Sequence, residues 1–348
     1  MRVLLTGGTG HIGKATTERL VHNGWDVRVI DLNREAEVPG ADYVTCDILD
    51  YDDLRRQMRG CDAVIHLAAI RGPSLAPGHR LFEVNVAGTF NVFEAAAAEG
   101  IRRVVQASSI NALGAAWGVT DMAIKYLPVD EEHPSFTTDP YSFSKEMIED
   151  IGRYYWRRDG ISSVALRFPG VYANDFIKTD DYRLRRETSQ KVMDQLARLS
   201  ETERQARLAD VKQRTLEYRK RRPFEYKDGV AKWPQRNNTD DLLWYIDAFD
   251  RYNLWAFLDV RDAAQSLEKG VTADYEGSHA LFVNDDHNSI GYESAVLARY
   301  FFPEVSQSNV ALTDTLSLVS IEKARALIGF EPEYSVANWD NLATENQP

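Results

Sequence analysis

Short apolar runs alternate with longer segments of helical periodicity over the first half of the chain. Such runs, bounded by turn residues, are typical of buried strands. The runs that predict strands are Arg2–Leu5, Asp26–Asp31, Ala41–Asp47, Ala63–Ala69, Arg103–Ser109 and Ser163–Phe168. The segments that predict helices are Lys14–Val21, Asp50–Arg59, Leu81–Ala98 and Tyr141–Arg158. This alternation predicts an α/β fold with a doubly wound parallel sheet.

The second half of the chain breaks the alternation. Between Lys178 and Arg222 the sequence is helix-prone and has 14 Lys and Arg against 8 Asp and Glu. An aromatic patch follows, formed by Trp233, Trp244, Tyr245, Phe249, Tyr252, Trp255 and Phe257. Alternating elements then return, with a strand at His279–Val283 and helices at Arg261–Gly270, Tyr292–Phe301 and Ser320–Ile328. We therefore expect a nucleotide-binding domain at 1–170 and a smaller substrate-binding region at 171–348, with a charged helical insertion at 175–250.

The first predicted strand runs directly into a glycine-rich turn that a helix follows. In such a turn Gly7 allows the tight bend, Gly10 lets the backbone approach a pyrophosphate, and Gly13 lets the helix pack closely on the strand. The helix N-terminus offers free N–H groups and a positive dipole end to phosphate. Asp31 ends the second predicted strand, where an acid binds a ribose hydroxyl. Together these features predict a Rossmann dinucleotide site.

Composition narrows the class of partner. The 348 residues carry a formal net charge of −12, which argues against nucleic acid because phosphate backbones require a basic surface. No apolar stretch approaches the roughly 20 residues that span a bilayer, and no signal peptide is visible, so we expect a cytoplasmic protein without a membrane partner. Cys46 and Cys61 are the only cysteines and predict reduced thiols. Because neither belongs to a paired His/Cys spacing, we predict no metal site.

Candidate chemistry lies at the start of a predicted helix. Tyr141 and Lys145 are four residues apart, so their side chains share one helix face. A nearby ammonium lowers the pKa of a phenol, and such a tyrosine can take the proton of a hydroxyl while hydride leaves the carbon. Ser109 ends the fifth predicted strand, at the edge where open α/β sheets bind ligands. A Tyr-x-x-x-Lys pair alone is commonly a pair of exposed helix side chains without a function. Together with the glycine turn and the strand-end serine, however, the pair indicates a catalytic site.

These residues give the chain a resemblance to a known family. The segments that carry the resemblance are Thr6–Gly13, Asp47–Ile48, His66–Ala69, Asn85–Thr89, Ser108–Ser109, Tyr141 with Lys145, and Asp259–Ala264. The chain resembles an extended short-chain dehydrogenase/reductase of the NAD-dependent epimerase/dehydratase family, closely over residues 2–171 and more loosely over 254–332. The resemblance implies NAD as cofactor, Tyr141 as acid/base, Lys145 as its activator and nicotinamide-ribose ligand, and Ser109 as the third catalytic group.

The resemblance also implies roles along the cofactor. Asp31 would hold the adenosine ribose, Asp47 with Ile48 the adenine, and Asn85 would support the active-site backbone. The remaining residues expected to contact the cofactor are Gly7, Gly10, His11, Ile12, Gly13, Leu67, Ala68, Ala69, Phe168 and Val171. Simpler interpretations stay open, with Asp47 as the N-cap of the next helix, Asn85 as a surface amide and His66 as a packing residue.

Other positions depart from the family pattern. Ile110 and Asn111 follow Ser109, whereas 4,6-dehydratases have an Asp-Glu pair there that eliminates water. Gly170 stands where nucleotide-sugar epimerases usually have an Asn, and Trp255 where they have an Arg. Both departures weaken the attachment of a nucleoside diphosphate.

We therefore expect an NAD-dependent oxidoreductase that acts on a hydroxyl of a sugar or sugar acid and resembles uronate dehydrogenases. The alternative is a nucleotide-sugar epimerase with tightly bound NAD. A non-catalytic NAD sensor is disfavoured because both Tyr141 and Lys145 are present. We expect the aromatic patch either to stack on a sugar ring or to form core. We expect the charged insertion to be a solvated arm or lid without direct substrate contact, with the supply of cations to the substrate as the alternative. Surplus apolar faces on Leu81–Ala98 and Tyr141–Arg158 predict a homodimer with a four-helix interface.

Overall fold

A computed structural model describes residues 1–236, 241–305 and 311–338. The strands are β1 Arg2–Thr6, β2 Asp26–Asp31, β3 Asp42–Thr45, β4 Ala63–His66, β5 Arg103–Ser109, β6 Ser162–Phe168, β7 Val171–Tyr172, β8 Leu258–Asp259 and β9 Ser278–Phe282. Seven of them form one parallel sheet in the order β3-β2-β1-β4-β5-β6-β9, and β7 pairs with β8. This is the predicted doubly wound sheet, with the strand order of a Rossmann fold plus one strand.

Helices cover both faces of this sheet and build the second half of the chain. They are α1 His11–His22, α2 Tyr51–Met58, α3 Gly78–Phe82, α4 Gly88–Ala98, α5 Pro140–Asp159, α6 Asp180–Arg198, α7 Glu201–Lys220, α8 Leu242–Tyr245, α9 Val260–Thr272, α10 Ser294–Phe301 and α11 Glu322–Ile328. A π-helical turn, Glu83–Ala87, separates α3 from α4, so the predicted single helix Leu81–Ala98 is interrupted. Within the described ranges, no helix is both long and apolar enough to cross a bilayer.

The strand order brings the loops that follow β1, β4 and β5 to one edge of the sheet. β1 lies between β2 and β4, with Thr6 opposite Ile30 on one side and His66 on the other. The direction of winding reverses at β1, which is where open α/β sheets bind ligands. β5 continues the row, and Ser109 at its end lies opposite Phe168 of β6. The glycine turn and the predicted catalytic serine therefore face the same crevice.

β4 is shorter than the predicted Ala63–Ala69, although every residue of that run except His66 is apolar. Beyond His66 the chain turns aside, because the backbone N–H groups of Leu67 and Ala68 donate to Thr6 Oγ1 at 3.2 and 3.1 Å. His66 itself bonds through Nδ1 to Thr6 Oγ1 (2.7 Å) and through Nε2 to Thr89 Oγ1 (2.9 Å). Burial lowers the pKa of His66 to about 3, so the ring is a neutral packing residue, as the simpler interpretation has it.

The charged insertion is packed against the body of the protein. Apolar side chains of α6 and α7, including Met193, Leu196 and Val211, are buried in a core that also contains Leu243 and Trp255. Exposed cations of the same helices form local ion pairs, as in Arg214 with Asp210 and Asp241. The expectation of a solvated arm is therefore wrong in its packing. The division of the chain at residue 170 stays a prediction, and β9 from the second part completes the main sheet.

Candidate active site

The glycine turn after β1 is shaped by close backbone contacts. Gly7 has a φ of +72°, and a Cβ there would lie 2.6 Å from the Ala68 nitrogen. A Cβ at Gly13 would lie 2.5 Å from the Gly7 carbonyl oxygen. A Cβ at Gly10 would meet only that same oxygen, at 3.3 Å. Gly7 and Gly13 are therefore required by the fold, whereas at Gly10 the missing side chain leaves space outside the turn.

Asp31 fixes this turn from the end of β2. Its Oδ2 accepts hydrogen bonds from the Thr9 nitrogen at 3.0 Å and from Thr9 Oγ1 at 2.7 Å, and its Oδ1 accepts from the Leu32 nitrogen at 2.7 Å. Asp47 lies at the end of the neighbouring strand, and its Oδ1 accepts from the Leu49 nitrogen at 2.9 Å. The N-cap of α2 is Asp50, so Asp47 does not cap that helix.

A cavity of about 240 Å³ opens beside the glycine turn. This glycine-turn cavity is lined by Gly7, Gly10, His11, Ile12, Gly13, Leu67, Ala69, Arg71, Ala107, Ser108, Ser109, Tyr141, Lys145, Phe168, Pro169 and Val171. The structure thus brings the three predicted catalytic residues together with most of the predicted cofactor residues. The predicted residues outside this lining are Asp31, Asp47, Ile48, Ala68 and Asn85.

The Asn85 side chain connects the loop after β4 with helix α5. Its Oδ1 accepts from the Ile70 nitrogen at 2.8 Å, and its Nδ2 donates to the Ile70 carbonyl at 3.0 Å and to Ser144 Oγ at 3.0 Å. The side chain is buried, which excludes the surface-amide interpretation. Asn85 lies on the π-helical turn, a distortion that often marks a functional site. It therefore links the loop after β4 to the helix that carries Tyr141.

Tyr141 and Lys145 stand in the first turns of α5. The helix begins sharply because Asp139 accepts hydrogen bonds from the nitrogens of Tyr141 and Ser142, with Pro140 in the first turn. Both predicted catalytic side chains are buried. Lys145 Nζ donates to the Ala107 carbonyl at 2.7 Å.

Burial shifts both groups away from their charged forms. It lowers the pKa of the Lys145 ammonium to about 8, with the Glu149 carboxylate opposing the shift. It raises the pKa of the Tyr141 phenol to about 12, opposed by the neighbouring Ser109 hydroxyl and the positive charge of Arg71. The expectation that Lys145 lowers the pKa of Tyr141 is therefore wrong for the protein alone, because desolvation of the phenolate is the largest effect.

Ser109 is held at the end of β5. Its Oγ accepts from the Asn111 nitrogen at 3.1 Å and from Asn111 Nδ2 at 3.3 Å, and donates to the Phe168 carbonyl at 3.4 Å. Asn111 follows in a short 3₁₀ turn, Ile110–Leu113. Sequence analysis assigned no role to Asn111 beyond its departure from the dehydratase pattern, yet Asn111 orients the Ser109 hydroxyl.

A second cavity of about 400 Å³ adjoins the first. We call it the insertion cavity, because Arg185, Ser189, Arg236 and Tyr245 of the insertion line one side of it. The residues that line both cavities are Arg71, Ser109, Tyr141 and Pro169. The helices of the insertion therefore turn polar side chains toward a cavity beside the predicted catalytic residues, while the absence of direct substrate contact stays a prediction.

The predicted aromatic patch divides between this cavity and the core. Tyr245, Phe249, Trp255 and Phe257 line the insertion cavity, whereas Trp233, Trp244 and Tyr252 do not. Trp255 is fully buried and follows Leu254, and both residues have left-handed backbones, with φ of +50° and +53°. Such strain in non-glycine residues is concentrated at functional sites. Sequence reasoning missed this conformation, since nothing in the residue types requires it.

Arg219 is a further residue that sequence reasoning missed. It is fully buried, and its guanidinium donates to the carbonyls of Ala115 (3.2 Å), Ala116 (3.0 Å) and Gly118 (2.8 Å). The guanidinium also lies 3.3 Å from the ring centre of Tyr252. Because Ala116 lines the insertion cavity, α7 holds one wall of that cavity through this side chain. In the sequence Arg219 is one cation within a charge run, and no pattern separates it from its neighbours.

Comparisons with known proteins agree with this geometry. The sequence pattern of the NAD-dependent epimerase/dehydratase family matches residues 3–228. A putative UDP-glucose 4-epimerase of Methanocaldococcus jannaschii is 34% identical over 177 residues, which cover 49% of this chain and 56% of that protein. A uronate dehydrogenase of Pseudomonas syringae pv. tomato is 30% identical over 168 residues, which cover 48% of this chain and 58% of that protein. The chain thus spans little more than half the length of these relatives.

A solved structure shares the whole fold. It is a short-chain dehydrogenase/reductase superfamily protein from Agrobacterium tumefaciens with bound NAD, and it superposes with a TM-score of 0.62 at 22% identity. The superposition covers 99% of this chain and 95% of that one. At this identity the likeness concerns the fold.

Proposed function

This chain belongs to the NAD-dependent epimerase/dehydratase family, and we propose that it is an NAD-dependent dehydrogenase acting on a hydroxyl of a sugar or sugar acid. One observation carries the proposal: Ser109 and Tyr141 form part of the wall that the glycine-turn cavity and the insertion cavity share. A phenol on that wall reaches a substrate in one cavity and faces a cofactor in the other. A volume of about 400 Å³ for the insertion cavity lies within the range of small-molecule sites.

The glycine-turn cavity fits NAD by its own chemistry. Helix α1 begins at His11, and its N-cap residue Gly10 has no side chain to cap it, so the first N–H groups of the helix are available to a pyrophosphate. Lys145 uses one of its three N–H donors on Ala107, which leaves two for the nicotinamide ribose. Asp31 would hold the adenosine ribose, and Asp47 with Ile48 the adenine. Phe168 and Val171 would border the nicotinamide. NAD, when bound, supplies the hydride acceptor.

The protein's own residues would handle the proton. Ser109, oriented by Asn111, would hold the substrate oxygen by a hydrogen bond, and the Tyr141 oxygen would take the hydroxyl proton. Oxidation needs the phenolate, and burial raises the pKa of Tyr141 to about 12. The rate of oxidation should therefore rise with pH through the neutral and mildly alkaline range, whereas reduction, which needs the protonated phenol, should change little with pH over the same range.

NAD rather than NADP is the proposed cofactor form. The Asp31 carboxylate, fixed by Thr9, lies where NADP would place its 2′-phosphate, and like charges repel. Arg34 is exposed nearby in sequence and is the cation that would reverse this preference. Titration of the protein with each dinucleotide should give clearly tighter binding of NAD, and comparable affinities would contradict the assignment.

The epimerase relatives keep one alternative in view, a nucleotide-sugar epimerase. Gly170 and Trp255, which replace the Asn and Arg expected of such epimerases, both line the insertion cavity. Neither residue offers a charge to a nucleoside diphosphate, which supports the dehydrogenase. Incubation with NAD and free sugars, sugar acids or UDP-sugars decides the matter. A dehydrogenase accumulates NADH, whereas an epimerase converts a UDP-sugar to its epimer, seen by NMR, without net NADH.

We also propose a homodimer. Four large aromatic side chains on α3, α4 and α5 are each at least 40% exposed: Phe82, Phe90, Phe143 and Tyr154. They stack in two pairs, Phe82 on Phe143 at 6.0 Å and Phe90 on Tyr154 at 6.3 Å between ring centres. An apolar surface of this kind is typical of an interface. Light scattering at micromolar concentration should give twice the chain mass, and Phe90→Glu should give the monomer mass.

The proposed location is the cytoplasm. Cys46 and Cys61 are both free and buried, which suits a reducing compartment. Fractionation of cells that produce the full-length protein tests this, and recovery in the membrane or secreted fraction would contradict it.

A further inference from the structure

Arg71 occupies an unusual place between the two cavities. It follows β4 and lines both the glycine-turn cavity and the insertion cavity, together with Ser109 and Tyr141. Arg71 is exposed, whereas the next three residues, Gly72, Pro73 and Ser74, are buried. The backbone that follows Arg71 is therefore packed against the protein, while its side chain lines the two cavities.

The backbone beside Arg71 is fixed. Asn85 binds both the N–H and the carbonyl of Ile70, at 2.8 and 3.0 Å, and is itself buried. These two hydrogen bonds from Asn85 restrict the backbone of Ile70, the residue that precedes Arg71. The Arg71 side chain therefore projects from a prearranged position, which reduces the entropy lost when it binds a partner.

Arg71 is also the arginine of these walls whose charge is not neutralised. Arg185 forms an ion pair with Asp181 at 3.0 Å, and Arg236 forms one with Asp250. Within residues 1–236, 241–305 and 311–338, Arg71 has neither a hydrogen-bond nor an ion-pair partner. Its charge acts on the reaction centre, because it opposes the rise in the pKa of Tyr141. A chain of net charge −12 thus places beside its proposed acid/base a guanidinium that has no partner among the described residues.

We infer that Arg71 receives a carboxylate of the substrate, so that the site selects sugar acids over neutral sugars. A guanidinium presents its N–H donors in a planar fork that matches a carboxylate, and such charge-assisted pairs are stronger than neutral hydrogen bonds. A neutral sugar would leave the cation without a counter-charge. The inference rests on the proposed dehydrogenase function and names the substrate class for the same site.

The test is a binding measurement. Calorimetry on the NADH-loaded protein compares glucuronate with glucose, two ligands that differ in one carboxylate. Arg71→Met should weaken glucuronate binding roughly 10- to 100-fold, the range for a hydrogen-bonded charge, and leave glucose within about twofold. Arg71→Lys keeps the charge without the fork and should recover part of the loss. Arg56→Met is the matched control, since Arg56 is an exposed arginine on α2 paired with Asp53, and should change neither ligand.

Titrations with other anions show whether Arg71 binds a substrate carboxylate or a phosphate of the cofactor or of a nucleotide-sugar. NAD and UDP-glucose are titrated against the same variants, because a cofactor or substrate phosphate also attracts a guanidinium. A loss confined to glucuronate supports the inference. Equal losses for glucuronate and glucose, or a loss confined to NAD or UDP-glucose, overturn it. This test measures binding and does not require turnover. If no substrate gave NADH, the proposed dehydrogenase function would be contradicted, but the comparison of glucuronate with glucose binding would still decide whether Arg71 receives a carboxylate.

Discussion

The glycine-turn cavity and the insertion cavity share the wall at Tyr141 but are built differently. The glycine-turn cavity is made mainly by backbone at the ends of neighbouring strands. Gly7 lies so close to the backbone of Ala68, and Gly13 so close to that of Gly7, that a Cβ on either glycine would clash. The second is made by side chains from distant parts of the chain. Arg219, for example, reaches carbonyls about 100 residues earlier in the sequence. A short motif can specify the first wall, whereas the second depends on tertiary contacts.

This difference separates two kinds of change. In the glycine-turn cavity, a methyl group added to one of the glycines either displaces the backbone or occupies space that a ligand would fill. In the insertion cavity, ion pairs and aromatic rings such as Tyr172 stacked on Phe257 at 4.9 Å can be exchanged without altering the sheet. We therefore expect cofactor binding and substrate binding to respond to separate sets of substitutions, with Tyr141 as the point where both meet.

The largest effect is expected at Tyr141. Tyr141→Phe keeps the ring and its packing but removes the group that takes the proton. General acid–base catalysis is typically worth about 10²–10⁴-fold, so turnover should fall at least that far while NAD affinity changes little. Tyr275→Phe is the control, because Tyr275 is equally buried, donates its hydroxyl to the Gly270 carbonyl and lines neither cavity. Near-normal turnover of Tyr141→Phe on an established substrate would remove Tyr141 from the chemistry.

Two glycines can separate cofactor binding from folding. Gly10→Ala adds a methyl group that meets only the Gly7 oxygen at 3.3 Å, at a residue whose φ of −71° suits alanine. It should fold normally and bind NAD roughly five- to 100-fold less tightly, since a steric conflict costs about 1–3 kcal/mol. Gly13→Ala clashes with backbone at 2.5 Å and should lower the melting temperature. The interpretation fails if Gly10→Ala binds NAD as well as the unaltered protein.

Arg219 tests the opposite side of the comparison. Arg219→Met should raise the KM for the substrate about tenfold, while the Kd for NAD stays within about twofold, because only the insertion wall loses its support. Leaving buried carbonyls unpaired should also lower the free energy of unfolding by about 1–3 kcal/mol. Arg214→Met removes an exposed cation from the same helix and serves as control. A matching loss of NAD affinity in Arg219→Met would show that the two walls are not independent.

The last expected effect concerns stability rather than function, and is a pH-dependent difference at Lys145. Its folded pKa of about 8 lies below the usual value, so the buried ammonium destabilises the cofactor-free protein below pH 8. That cost disappears as pH rises toward about 10.4, the value in an unfolded chain. The free energy of unfolding should therefore rise relative to that of Lys145→Met over this window, by up to about 3 kcal/mol. Denaturant titrations at several pH values check this, and a constant difference contradicts it.

Much of the cofactor side was predictable from the sequence. β5 has the predicted bounds Arg103–Ser109. The glycine spacing likewise predicted which backbone positions approach one another. The errors at this side have local causes. β4 ends early because Thr6 takes the next two N–H groups, and the π-helical turn at Asn85 leaves no trace in apolar periodicity.

The substrate side was much less predictable. Periodicity detected helices in the insertion but not the direction in which they pack, so the expected solvated arm was wrong. Arg71, Arg185 and Arg219 are the same residue type. Among the described residues, however, Arg71 has no partner, Arg185 is ion-paired and Arg219 is buried on backbone carbonyls. These differences arise from partners far away in the sequence. A single chain offers no signal that identifies such partners in advance.

The central claim is that the two cavities serve one NAD-dependent oxidation of a sugar hydroxyl. It is tested most directly by following NADH absorbance when the protein is mixed with NAD and, separately, with free uronates, aldoses and UDP-sugars. If the protein is this dehydrogenase, NADH should accumulate beyond the enzyme concentration with a free sugar acid, and little NADH should form with the UDP-sugars. NADH formation with none of them, together with conversion of a UDP-sugar to its epimer, would contradict the claim.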